Sequence, residues 1–144
     1  INGGWTGRLK KHFEAQDYYN SLYNLGIPGD STTDLLRRFE TECQARIKFK
    51  RPGDKFVILI AIGTNDSRFK NTPENPETNS EFFKKNILKL IKSSKKYTKD
   101  IIFIGLTPVD EKRTQPYETT YLFNERIKKY NKIFREKEFS RSWN

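Results

Sequence analysis

Apolar residues recur at two kinds of spacing along the chain, and the spacing separates helices from strands. Trp5, Leu9 and Phe13 are four residues apart and predict a helix over residues 4–14. A second stripe predicts a helix over residues 32–48, and its apolar face carries Leu35, Leu36, Phe39, Cys43 and Ile47. Two later stripes predict a helix that begins at Asn79 or Ser80 and another over residues 118–137.

Between these helices lie continuous apolar runs that predict strands. The clearest run is KFVILIAIG, residues 55–63, and DIIFIGL follows at residues 100–106. A run without alternation is expected where helices cover both faces of a sheet. A shorter strand is predicted over YYNSLYNL, residues 18–25. Because strands and helices alternate, the pattern favours a parallel α/β sheet in a single domain over residues 1–144.

In such a sheet, ligands bind beyond the carboxyl ends of the strands. Three predicted loops would form that edge, at residues 26–31, 63–68 and 107–111. The polar loop over residues 64–79 is long for a compact domain, and loops of this length are often functional. We therefore expect functional residues in these loops.

Composition narrows the chemistry of the site. His12 is the one histidine and Cys43 the one cysteine. The sequence therefore has no multi-histidine metal site, no internal disulfide and a single imidazole base. Cys43 is expected to pack in the core. We expect neither a metal nor an organic cofactor.

The chain is basic, with a formal net charge of +10. Its lysines are spread over every predicted helix at solvent-facing positions, which favours a generally basic surface over a nucleic-acid interface. We therefore expect no nucleic-acid partner, although a scaffold that binds an anionic partner remains a third interpretation.

No apolar run is long enough to span a membrane. The oligomeric state is undetermined; for the compartment we favour the cytoplasm, and any signal peptide would lie upstream of Ile1.

Two of the loops contain residues suited to chemistry. GTND at residues 63–66 follows the strongest strand, and Asn65 there is either a turn residue or an amide donor aimed into a cleft. GDS at residues 29–31 raises the question whether Ser31 is a nucleophile. Ser31 and Asp34 also have the spacing of a capping box, which makes Ser31 a helix cap in the competing interpretation.

Taken together, the motifs resemble those of the SGNH hydrolases, the GDSL-type esterases and lipases. GTND fits the third block, G-x-N-D, and NLGIPGDSTTDLLRR fits the second. GGWTGRLKK resembles the stretch after the first block, and IGLTPVDE resembles the end of the fourth strand. The resemblance covers nearly the whole chain and implies a three-layer α/β/α sandwich with a flavodoxin-like parallel sheet.

The resemblance also implies roles for individual residues. The nucleophile of the family lies in the first block, so Ser31 is interpreted as the helix cap. The oxyanion donors would be the N–H of the nucleophile, the Gly29 N–H and the Asn65 side-chain amide. Asp66 is expected to form local hydrogen bonds that fix its own loop.

Two parts of the family pattern lie outside the sequence. The first block would precede Ile1, and the D-x-x-H block that supplies the base and its acid would follow Asn144; His12 cannot be carried over to that role. The resemblance thus implies a serine-type ester hydrolase whose substrate is a small acyl or acetyl ester. The domain would be incomplete at both ends, and its nucleophile and base would lie outside these residues. The alternative is a non-catalytic protein of the same fold that binds an acyl or glycan ligand. The first strand would lie between residues 18–25 and 55–62, so we expect unpaired strand edges there.

Overall fold

The computed structural model of the protein describes residues 4–136. In this part of the chain the helices and strands follow in the order α1 (Trp5–Glu14), α2 (Thr32–Ile47), β1 (Ile58–Ile60), α3 (Thr64–Ser67), β2 (Phe69–Lys70), α4 (Ser80–Ser94), β3 (Ile101–Phe103), β4 (Thr120–Tyr121) and α5 (Asn124–Ile133). A single 3₁₀ turn, Glu111–Arg113, precedes β4. The four predicted helices form, but α5 begins six residues later than predicted because Thr120 and Tyr121 are in a strand.

Two of the predicted strands form a parallel pair. β1 pairs with β3 in the register Ile58–Ile101, Leu59–Ile102 and Ile60–Phe103. The connection between them contains α4, as parallel strands require a crossover. The small antiparallel ribbon of β2 and β4 was not predicted from the sequence.

The predicted strand over residues 18–25 is wrong. Tyr18 and Tyr19 lie in a turn, and residues 20–25 have no regular structure. A strand exists through hydrogen bonds to a neighbouring strand, and within residues 4–136 this segment has none beside it. Apolar pattern alone therefore did not produce a strand here.

Helices cover one face of the β1–β3 pair. The buried core joins this face to α2, α4 and α5 and consists of Phe39, Cys43, Ile58, Ile60, Phe83, Ile87, Leu90, Ile91, Ile101, Leu106, Ile127, Tyr130 and Ile133. Side chains alternate across a strand, so Val57 and Ile102 point to the opposite face. They are 49% and 40% exposed.

The helix α1 does not cover this open face, since none of its residues is buried. The part of the chain that the structure describes therefore has one helical layer on a two-stranded parallel sheet. A mixed α/β fold with a parallel pair agrees with the prediction. The three-layer sandwich and the larger flavodoxin-like sheet are not observed in these residues.

The predicted caps hold the helices that border the site. The hydroxyl of Ser31 accepts the Asp34 N–H, and the Asp34 carboxylate accepts the Ser31 N–H, which completes a capping box. At α4, Oδ1 of Asn79 accepts the N–H of Phe82 at 2.8 Å.

Across residues 4–136, no helix combines the length and the hydrophobicity that crossing a membrane demands.

Candidate functional site

Gly29 lies in the loop that enters α2. Its φ of +87° lies in the region that glycine adopts without strain, whereas a Cβ placed on it would meet nothing within 4 Å. Backbone conformation rather than space therefore requires glycine here. The next residue, Asp30, is held to α2 by Arg38, whose Nη2 lies 2.7 Å from Oδ2 of Asp30. Within residues 4–136, the Gly29 N–H has no hydrogen-bond acceptor.

Asn65 lies in the first turn of α3, five residues after the end of β1 and two after Gly63. Its Nδ2 donates to the Asp30 carbonyl at 2.8 Å, although the two residues are 35 positions apart. Its Oδ1 accepts a hydrogen bond from Nη1 of Arg68 at 3.3 Å. Because only the oxygen can accept from a guanidinium, this bond shows that the NH₂ end of the amide faces Asp30. The structure therefore brings the two predicted site residues, Gly29 and Asn65, to the same place.

Gly63 is a residue of the site whose role the sequence analysis did not identify. Its φ is +122°, and a Cβ there would lie 3.0 Å from the Phe83 ring and 3.1 Å from Leu106. Both backbone and packing thus exclude larger residues. The Gly of the GTND motif was the available signal, but only the packing of α4 explains it.

Asp66 connects the two loops below the surface. It is fully buried, and its carboxylate accepts the Thr32 N–H at 2.9 Å and the Thr32 hydroxyl at 2.5 Å. The expectation that Asp66 bonds within its own loop covers only part of its bonding, because its carboxylate bonds Thr78 of that loop and also Thr32, which precedes it by 34 residues. Burial raises the pKa of Asp66, and the hydrogen bonds from Thr32 oppose that shift.

Asn86 extends this buried network and was missed by the sequence analysis. It is 2% exposed, and its Nδ2 donates to the hydroxyls of Thr32 at 2.9 Å and Thr33 at 3.1 Å. A polar residue beside Ile87 in the apolar stripe of α4 was a weak signal for such a role. Asp66, Thr32 and Asn86 together fix α3, α2 and α4 relative to one another.

Ser31 has the geometry of a helix cap. Its Oγ donates to Oδ2 of Asp34 at 2.6 Å, and this hydrogen bond lowers the pKa of Asp34. His12 is exposed on α1, and its hydrogen-bond partner is the amide of Gln16. Among residues 4–136, no serine therefore forms a hydrogen bond with a histidine, and no cluster of three or more His, Cys, Asp or Glu could hold a metal.

The arrangement offers hydrogen-bond donors at the carboxyl end of β1. An amide NH₂ has two donors, and the bond to Asp30 uses one of those on Asn65. The Gly29 N–H has no acceptor in the described part of the chain. Fixed donors of this kind stabilise a negatively charged oxygen that approaches the loops.

Comparison with known proteins identifies the family of the chain. A search of curated proteins finds no match. A family model described as "GDSL-like Lipase/Acylhydrolase family" matches residues 2–138, nearly the whole chain. The chain therefore belongs to the GDSL-like lipase/acylhydrolase family.

Proposed function

We propose that the protein is a serine-type ester hydrolase in which Gly29 and Asn65 donate hydrogen bonds to the oxyanion. The main support is the 2.8 Å hydrogen bond from Asn65 to the Asp30 carbonyl, which holds the amide beside Gly29. Membership of an acylhydrolase family supports ester hydrolysis as the reaction class. The substrate would be an acyl or acetyl ester of a small molecule.

In this proposal, a serine hydroxyl attacks the ester carbonyl carbon while a base removes its proton. The carbonyl oxygen becomes negatively charged, and the second N–H of the Asn65 amide and the Gly29 N–H donate to it. The tetrahedral intermediate collapses, the alcohol leaves with a proton, and water then releases the acid from the serine. One such donor is typically worth about 2.7–4 kcal/mol of transition-state stabilisation.

The donors would act without reorganisation because their loops are already fixed. Arg68 holds Oδ1 of Asn65 and also contacts Glu77 at 3.4 Å. The buried Asp66 follows Asn65 directly and joins α3 to the start of α2. Donors fixed before the reaction contribute more than donors that must first be oriented.

The nucleophile and the base would come from segments outside the 144 residues. Ser31 is a poor candidate for the nucleophile because its hydroxyl donates to Asp34 rather than to an imidazole. His12 lies on α1 with Gln16 as its partner. A serine needs a base within hydrogen-bond reach to become a nucleophile.

The same observation favours a second candidate, a non-catalytic protein that binds a ligand at these loops. The two candidates differ in covalent chemistry. A fluorophosphonate probe should label one serine of the full-length protein if it is a hydrolase. Complete absence of labelling in the folded full-length protein would favour the binding protein.

Replacement of Asn65 tests the proposed role directly. In the full-length protein, Asn65→Ala should lower kcat for p-nitrophenyl acetate by about 10²–10³-fold, with a smaller change in KM. The matched control is Asn75→Ala, which removes an exposed amide from the same long loop and should leave kcat unchanged. Unchanged turnover in a folded Asn65→Ala variant would exclude Asn65 from the oxyanion hole.

A further inference from the structure

A solvent-open surface cavity of about 450 Å³ lies between β2, the 3₁₀ turn and the first turns of α5. Its walls are formed by Phe69, Glu111, Phe123, Glu125, Arg126 and Lys129. Among these six residues Phe69 alone lies in the long loop, residues 64–79, that also contains Asn65. The other five lie in the 3₁₀ turn, α5 or the residue before it, and the proposed oxyanion donors do not explain them.

Aromatic rings and a fixed guanidinium form one wall of the cavity. The rings of Phe69 and Phe123 meet edge to face, with centroids 5.6 Å apart. The Arg126 guanidinium lies 4.5 Å from the Phe69 ring centroid and donates to the Thr78 carbonyl at 2.6 Å. Stacking and hydrogen bonding together hold Arg126 in one position, so this wall is rigid.

The charges of the lining exclude two classes of ligand. The lining includes two carboxylates, Glu111 and Glu125, and two cations, Arg126 and Lys129. A long acyl chain would remove these four charged groups from water without replacing their hydrogen bonds, which is costly. An anion such as phosphate would meet the two carboxylates as well as the cations. The lining suits neither ligand.

A carbohydrate satisfies the same lining. Its hydroxyls both donate and accept, so they can pair with carboxylates and with cations, and the C–H face of a sugar ring packs on a phenyl ring. Glu111 is already oriented, because one of its oxygens accepts the Asn124 N–H at 2.6 Å. A carboxylate has two oxygens, so the other can accept a sugar hydroxyl.

The cavity lies close to Asn65. Phe69 follows Asn65 by four residues, so their Cα atoms are at most about 14 Å apart. Thr78 joins the two regions, since its hydroxyl bonds the Asp66 carboxylate and its carbonyl accepts Arg126. A sugar in the cavity could therefore carry an ester group to the oxyanion donors.

We propose that this cavity binds a carbohydrate and that the sugar is the alcohol part of the ester substrate. The second half of this statement rests on the proposed hydrolase function. Two experiments test the two claims separately, because binding of a sugar to the cavity can be measured without catalysis.

The first experiment measures binding to the isotopically labelled full-length protein by NMR. Cellobiose or N,N′-diacetylchitobiose should shift the backbone amide signals of Phe123, Glu125 and Lys129. Octanoate and inorganic phosphate should not shift them. A response to octanoate alone would identify an acyl site and overturn the proposal, and so would the absence of any response to either disaccharide.

The second experiment compares an acetylated disaccharide with p-nitrophenyl acetate as substrates. Lys129→Gln and Glu125→Gln should each raise KM for the sugar ester by about 3–10-fold, the effect of one weakened hydrogen bond at a solvent-exposed side chain. Neither should change kcat for p-nitrophenyl acetate. The control is Lys128→Gln, which alters an exposed neighbour on α5 outside the cavity.

The two experiments fail in different ways. If disaccharides bind but no ester is hydrolysed, the hydrolase function is wrong and the carbohydrate site remains. If esters are hydrolysed and the two variants leave KM for the sugar ester unchanged, the cavity is not the site of the alcohol part.

Discussion

At the residue scale, the buried carboxylate of Asp66 predicts how the free energy of unfolding depends on pH. Burial raises its pKa above the ordinary value of 3.8, so the folded state binds a proton more readily than the unfolded state. The contribution of Asp66 to stability is therefore present below pH 3.8 and is lost as pH rises through the raised pKa. In the full-length protein, the unfolding free energy of wild type minus that of Asp66→Asn should fall from pH 3 to pH 7, measured by urea denaturation. A difference that increased with pH would show that hydrogen bonds from Thr32 outweigh burial.

Ser31 allows a second residue-scale prediction, which separates the helix cap from a nucleophile. Ser31→Ala should retain esterase activity and lose about 0.5–2 kcal/mol of stability, the usual cost of a lost N-cap. Chemical denaturation and turnover of p-nitrophenyl acetate measure the two effects in the full-length protein. Loss of both turnover and fluorophosphonate labelling would identify Ser31 as the nucleophile. It would contradict the assignment of residues 29–31 to the second block of the family rather than the first.

Sequence could nominate Gly29 and Asn65 because they match family motifs that are local in the chain, and their role as oxyanion donors stays a prediction. Asn65 comes directly after the strongest apolar run, and Gly29 precedes a capped helix. The role of Asn86 could not be found in this way, since its partner Thr32 is 54 residues away. Long-range hydrogen bonds leave almost no local signature, so the network behind the site appears only in three dimensions.

At the element scale, the predictions were accurate where the signal is local. The apolar stripe and cap of α2 predicted its ends within one residue, since both signals lie within the helix itself. The ribbon of β2 and β4 was not predicted, because two-residue strands are too short to show alternation. Residues 18–25 had the composition of a strand but no neighbouring strand in the described part of the chain.

Gly63 precedes α3 and packs against α4, and this contact allows an element-scale prediction. Gly63→Ala places a methyl group 3.0 Å from the Phe83 ring of α4 at a φ of +122°, so the ring must move by a few tenths of an ångström within a packed core. We expect a loss of about 2–4 kcal/mol, from overpacking and backbone strain together. The control is Gly53→Ala, which has a positive φ but nothing within 4 Å and should cost less. Equal losses in urea denaturation would show that backbone strain alone matters.

At the scale of the whole molecule, the open face of the β1–β3 sheet sets an expectation for residues 1–144 expressed alone. Val57 and Ile102 are 49% and 40% exposed, and within residues 4–136 β1 pairs on one side only. Exposed apolar faces and free strand edges both promote association. We therefore expect these residues alone to self-associate and to lack esterase activity, as measured by size-exclusion chromatography and turnover.

The open face itself can be tested by substitution. Ile102→Lys should reduce self-association of the 144-residue chain, because it places a charge on the exposed face without entering the core. Ile101→Lys is the matched control; Ile101 is 4% exposed, and an unpaired charge at a buried position should unfold the chain.

Extension with the flanking gene segments should restore a monomer if one of them covers the face and pairs with β1. A cooperative, monomeric melt of residues 1–144 alone would show that the face needs no cover, and it would count against the sheet arrangement inferred from the family.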